Sequence, residues 1–187
     1  TFVLKDPTVD FAVLECARGG ILKAGLAFQN CEVAVVTNVA ADHIGLGGIN
    51  NVEAMAKVKQ VVPETVFPHG YAVLNADDDL VYKMQEGLAC KVALFSMDEK
   101  NPRIKSHCEK GGMAAVFENG YVSILKGTWK IRVMHVKDIP LTFEGKAVHN
   151  INNCLPAVLA AYLFRDITIE DIRTGLQTFI PSENLTP

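Results

Sequence analysis

The sequence contains no apolar run approaching the roughly 20 residues that cross a bilayer, so no spanning helix is expected. Between Thr1 and Asp10 there is no basic head followed by an apolar stretch, which argues against a secretory leader. Nor is there a Lys/Arg cluster of the kind that tracks phosphates, and the formal charge is only −3; a nucleic-acid partner is not expected. The five cysteines, Cys16, Cys31, Cys90, Cys108 and Cys154, are odd in number and never form a C-x-x-C pair. That spacing points away from a zinc site or a disulfide framework and towards a reducing, cytoplasmic compartment. Cys16, Cys31 and Cys90 lie in or beside apolar runs and read as small buried hydrophobes. Internal repeats and low-complexity segments are also missing.

What remains is ordinary globular material. With 49% hydrophobic and 21% charged residues, the 187-residue chain is long enough for one well-buried domain. Four apolar runs share one character: Phe11 to Glu15, Val33 to Asn38, Tyr71 to Asn75 and Lys91 to Ser96. They are near-continuous rather than alternating, as strands buried on both faces of a parallel sheet are. Helices are expected between them, over Val52 to Val62 and over Asp78 to Leu88, with Asp77 placed to cap the second. From Met113 the character changes. Three β-prone runs joined by E-N-G and K-G-T predict an antiparallel meander over residues 113–136. Two more helices follow, one within Asn150 to Phe164 and one from about Asp171 to Phe179, with Thr168 and Asp171 in capping-box spacing. The expected fold class is α/β: a mostly parallel sheet flanked by helices, with a small antiparallel meander.

In such sheets ligands bind beyond the carboxyl ends of the strands. Glu15, Asn38 and the pair Asp42 and His43 fall at or just after expected strand ends, and Gly19 and Gly20 follow Glu15. A carboxylate and an imidazole on adjacent strand ends could share one divalent cation, with oxygen donors preferred if it is magnesium. Each of these residues also has a plain structural use, as a solvated strand end or a loop polar pair.

The run from Asp10 to Val62 resembles the central domain of the Mur ligase and folylpolyglutamate synthase superfamily, which is P-loop NTPase-like. The stretches E-C-A-R-G-G-I-L-K-A-G-L and T-N-V-A-A-D-H-I-G-L-G-G are similar to the cyanophycin synthetase branch. V-L-N-A-D-D-D (Val73 to Asp79), I-P-L-T (Ile139 to Thr142) and H-N-I-N-N (His149 to Asn153) extend the resemblance over nearly the whole chain.

The resemblance implies an ATP- and Mg2+-dependent ligase that activates a carboxylate as an acyl phosphate and joins an amine to it. In the cyanophycin branch the amine is arginine and the acceptor a poly-aspartate side chain. It also implies roles. Glu15 and His43 would hold a magnesium ion near the γ-phosphate, with Asn38 and Asp42 in support. Lys59 would be the lysine that becomes an anionic metal ligand by carbamylation, with its neighbour Lys57 a solvated helix charge. Asn153 would contact adenine, with Asn150, which opens the same helix, also on the nucleotide. Asp77 and Asp78 read as structural. Pro156 is expected to kink or delay that helix.

The glycine-rich G-x-x-x-x-G-K-[ST] phosphate loop is absent from these residues. The chain opens without methionine and stops in P-S-E-N-L-T-P, so it reads as a truncated central domain, inactive by itself. The phosphate-loop segment would lie upstream and a carboxyl-terminal ligase domain downstream. Two other readings stay open: a folylpolyglutamate- or peptidoglycan-type ligase, and a non-catalytic nucleotide-binding module. Homo-oligomer formation is left open too.

Overall fold

The computed structural model describes residues 3–40, 49–164 and 166–180. A short helix α1 (Arg18–Ala24) is followed by β1 (Cys31–Val36), α2 (Val52–Glu64), β2 (Val66–Asn75), α3 (Asp79–Lys83), β3 (Lys91–Ser96) and α4 (Pro102–Glu109). Then come β4 (Met113–Glu118), β5 (Tyr121–Lys126), β6 (Trp129–His135), α5 (Val148–Leu163) and α6 (Ile169–Thr178). The six strands form one sheet in sequence order. β1 to β4 pair in parallel, and β4–β5 and β5–β6 are antiparallel, so the expected meander extends the parallel sheet instead of standing apart from it.

Three crossovers in succession step the same way across the sheet, and a constant hand puts their helices on one face. Ala56 of α2, Val81 of α3, and Ile104 and Cys108 of α4 accordingly share one core with Ala72, Leu74, Leu94, Ala114 and Val116. Alternation along each strand sends Val73, Ala93, Phe95 and Ala115 to the opposite face. There they meet Ile151, Cys154, Leu155, Val158 and Leu159 of α5, and Ile172 of α6. Pro156 does not interrupt α5, which runs unbroken as a helix from Val148 to Leu163. The buried face of α5 holds the helix across the proline.

Two glycines are required by geometry. At the E-N-G turn Asn119 and Gly120 both take positive φ, 46° and 84°, the combination a tight two-residue hairpin demands. At Gly70 an added Cβ would stand 2.2 Å from the Glu32 carbonyl oxygen, where β2 passes close to β1. The pairing of those strands jumps there, from Cys31 opposite Val66 to Val33 opposite Tyr71.

Several expectations are corrected. Phe11 to Glu15 does not form a strand; it runs without regular pairing, and Val13 is 86% exposed. A strand exists only through hydrogen bonds to a neighbour, and among the described residues none lies beside this segment. The predicted Asp78–Leu88 helix is shorter, ending at Lys83. Its cap is Asp78, whose Oδ1 accepts from the Leu80 and Val81 amides. Asp77 instead accepts from Ser96 Oγ, the Met97 amide and Asn101 Nδ2. Cys108 and Cys154 are the buried cysteines, whereas Cys16, Cys31 and Cys90 are only half-buried. The Thr168/Asp171 capping box forms as expected.

The sheet has unlike edges. On β6, Arg173 of α6 donates through Nε to the Val133 carbonyl (2.8 Å) and through a terminal nitrogen to that of Arg132 (3.2 Å). Such a cover satisfies acceptors that would otherwise invite another strand. β1 forms the other edge and has no described strand on its outer side.

A buried carboxylate ties the meander together. Glu118 of β4 is 2% exposed and accepts from Ser123 Oγ (3.0 Å), Lys130 Nζ (2.5 Å) and Arg132 Nε (3.3 Å). Burial pushes its pKa up, but hydrogen bonds with Lys130, Glu99, Ser123 and Arg132 outweigh this and hold it at about 2. Because the folded value is depressed, the stabilisation is fully present above the ordinary glutamate range. It is lost as pH falls from about 4.5 towards about 2. Glu118→Gln is expected to lower stability by about 1–3 kcal/mol at neutral pH. It should also flatten the acid limb of a urea-melt series; an unchanged acid limb would remove Glu118 as its source.

Candidate functional site

A cleft of about 1080 Å³ lies along the open side of β1. One wall is the irregular segment 10–18, the other is β1 and the loop after it, and the floor is made by Ala157, Ala160, Ala161 and Phe164 at the end of α5. The small side chains of α5 leave the room. Val35, which a further strand would bury, is 38% exposed in it.

Three of the sequence-predicted residues line this cleft: Glu15, Asn38 and Lys59. Glu15 is exposed on the segment leading into α1. Its neighbour Cys16 is a thiol pushed up first by burial, then by the charges of Cys31 and Glu15. Asn38 follows the last residue of β1 by two positions, in an exposed loop. Lys59 is half-buried on α2, and its Nζ donates to the Asn38 carbonyl at 2.7 Å. Two residues away on a 3.6-residue helix is the far side, and Lys57 is accordingly exposed. Asn51 starts α2 by accepting the Ala54 amide through its side chain (2.7 Å), which fixes the helix bearing Lys59.

Asp42 and His43 lie outside the described residues. Among the described residues no three His, Cys, Asp or Glu side chains converge as a metal-binding group. No ion pair joins Glu15 to Lys59. Asn150 and Asn153 are not part of the cleft lining. Asn150 Nδ2 donates to the Leu141 carbonyl (2.7 Å), pinning the I-P-L-T turn to the start of α5. The Thr142 hydroxyl of that turn is fully buried and donates to the Val136 and Ile139 carbonyls. Asn153, one turn on, is exposed.

Sequence reasoning missed Asn75 and gave Asp78 too little. Asn75 Nδ2 donates to the Thr37 carbonyl (2.7 Å), and the Val39 amide donates to Asp78 Oδ2 (2.7 Å). Both hold the loop that carries Asn38. The signal was present in N-A-D-D-D, but helix capping accounted for it without any need for a second partner.

A model of the Mur ligase middle domain matches residues 1–161. The chain belongs to the Mur ligase middle-domain family. Among curated relatives of this middle domain, cyanophycin synthetase of Synechocystis sp. is 55% identical over 99% of the chain, and that of Nostoc sp. 50% identical over the same share. The chain spans about a fifth of their length, 21% and 20%. A UDP-N-acetylmuramate–L-alanine ligase of Acetivibrio thermocellus is 29% identical over 93% of the chain, which spans 38% of that protein. Among solved structures, MurF from Acinetobacter baumannii superposes with a TM-score of 0.54 at 20% identity, covering 81% of this chain and 30% of that one. That likeness speaks to fold. The mostly parallel sheet ending in antiparallel strands is therefore a Mur-type middle domain.

Proposed function

We propose that this middle domain serves an ATP-dependent acid–amino-acid ligase of the cyanophycin synthetase kind, which joins arginine to the aspartate side chains of a poly-aspartate backbone. The observation that carries this reading is the identity of 50–55% to cyanophycin synthetases over 99% of the chain. Mur enzymes that act on muramate substrates stand much further off, at 29%. A cytoplasmic setting follows from that reading, and among the described residues no helix is long and apolar enough to cross a membrane.

The chemistry needs an acceptor carboxylate oxygen to attack the γ-phosphorus of ATP, breaking its bond to the bridging oxygen so that ADP leaves. The arginine nitrogen then attacks the acyl carbon, forming the C–N bond as phosphate departs. The protein's share is to position the reactants and offset charge. The donors facing the cleft suit a hard cation: the Glu15 carboxylate, the Asn38 amide and, once carbamylated, the oxygens of Lys59. In this reading Glu15, His43 and carbamylated Lys59 hold Mg2+, with Asn38 and Asp42 in support, and the ion screens negative charge on the phosphates. Asn150 and Asn153 are assigned to the adenine side.

The open side of β1 suits a further parallel strand from the same polypeptide. The phosphate loop that the ligase reading requires would be delivered at its end.

The full-length protein is expected to join arginine to a poly-aspartate primer only when ATP is present, read as primer-bound labelled arginine. Transfer of glutamate to a folate would keep the site and change the substrate. An intact protein that hydrolyses no ATP with any acceptor would be a nucleotide-binding module instead.

A further inference from the structure

The loop leaving β1 is held at three consecutive residues by three different elements. Asn75 at the end of β2 donates to the Thr37 carbonyl, Lys59 of α2 to the Asn38 carbonyl, and Asp78 before α3 accepts the Val39 amide, each at 2.7 Å. Asp78 is divided between two tasks. Its Oδ1 caps α3 at Leu80 and Val81 (2.9 and 3.1 Å), while Oδ2 alone holds Val39. Asn75 is divided likewise: its Nδ2 holds Thr37 and its Oδ1 accepts the Asp77 amide at 2.8 Å. Asp77 is anchored in turn on Ser96 and Met97 at the end of β3 and on Asn101, which caps α4. A continuous run of hydrogen bonds thus links the end of β3 to the loop after β1. Asn75 is 6% exposed, so its donor has no water to fall back on.

Capping alone would use one oxygen of Asp78 and none of Asn75. From this we infer that Asn75 and Asp78 are positioning residues for the ligase site, setting the backbone of residues 37–39 and with it the aim of Asn38 and Lys59. The inference rests on the ligase reading above. Partners that orient ligands in this way typically govern 10–100-fold in metal affinity or activity.

Asp78→Asn separates the two tasks. Asparagine caps a helix as well as aspartate does, so its oxygen stays on Leu80 and Val81. Its NH2 group then faces the Val39 N–H, donor against donor, and the loop is released. In the full-length protein we expect kcat for ligation to fall at least ~10-fold. The Mg2+ concentration for half-maximal rate should rise, and hydrogen exchange in the peptide covering Val39 should accelerate, while the melting temperature stays close to that of the parent. Asn75→Asp, which keeps the acceptor for Asp77 and removes the donor to Thr37, should repeat the losses in kcat and Mg2+ affinity beyond what its lowered melting temperature, the cost of a buried carboxylate, accounts for. Asp79→Asn, a loss of charge one residue away on an exposed side chain that pairs with Arg103 and not with residues 37–39, should behave as the parent.

Faster exchange at Val39 with unchanged kcat and Mg2+ demand would overturn the inference. So would a rate that falls only in step with melting temperature in both variants. An unaltered protein without ligase turnover would remove the ligase reading, and this inference with it.

Discussion

Lys59→Ala in the full-length protein is expected to cut the ligation rate at least ~100-fold, the scale seen when a charge-stabilising group is taken from a reaction centre. Lys57→Ala should stay within about threefold, because exposed substitutions away from a site rarely matter. The contrast follows from helix geometry. α2 turns Lys59 into the cleft, where it reaches the Asn38 carbonyl, and turns Lys57 to solvent. The measurement is steady-state kcat at saturating ATP and Mg2+, with a thermal melt of each variant alongside. Equal loss in both variants, or retention in Lys59→Ala, would show that the cleft does not hold the reaction.

Phe95→Ala should be the most damaging core change. Phe95 lies in the third of six strands, is fully buried, and packs with Val73, Ala115 and Leu155 beneath α5. Removing a ring from such a place loses its transfer free energy and leaves a cavity, together about 3–5 kcal/mol. In a domain of this size that lowers the melting temperature by roughly 10 °C. Phe179→Ala, at 58% exposure beyond α6, is the matched control and should shift it by no more than about 2 °C. A small effect at Phe95 would mean that the sheet and α5 are not packed as described.

These two positions also show where sequence alone was informative. Phe95 lies in K-V-A-L-F-S, whose limits as a strand, Lys91 to Ser96, could be read directly because both of its faces are buried and every residue speaks for the same state. β2 was read only in its second half, since F-P-H-G carries a proline and the close-approach glycine, both signs of a turn, ahead of Tyr71. α4 was missed because only Ile104 and Cys108 face inward from an otherwise polar octet, too little to show a period. α1 was hidden by Gly19 and Gly20, which local propensity sets against a helix. Phe11 to Glu15 failed for the opposite reason. Its composition is right for a strand, but a strand needs a neighbour, which composition does not supply.

The site divides along the same line. Lys59 over Lys57 came from motif wording; on α2 Lys59 lines the cleft and Lys57 is exposed. The holding of Thr37 and Val39 by Asn75 and Asp78 joins residues about forty positions apart, beyond any local signal. Asn150 was read as a nucleotide contact, and its amide nitrogen is engaged with the Leu141 carbonyl. A side chain with several hydrogen-bonding atoms advertises its capacity in the sequence but not its partner.

The guanidinium of Arg173 bonds two carbonyls of β6, those of Arg132 and Val133, and so guards that side of the sheet. A sheet open at both sides can stack copy on copy into a filament. Here Arg173 holds one side, and in the ligase reading β1 receives a strand of the same polypeptide, so each side of the sheet carries its own guard against a strand from another molecule.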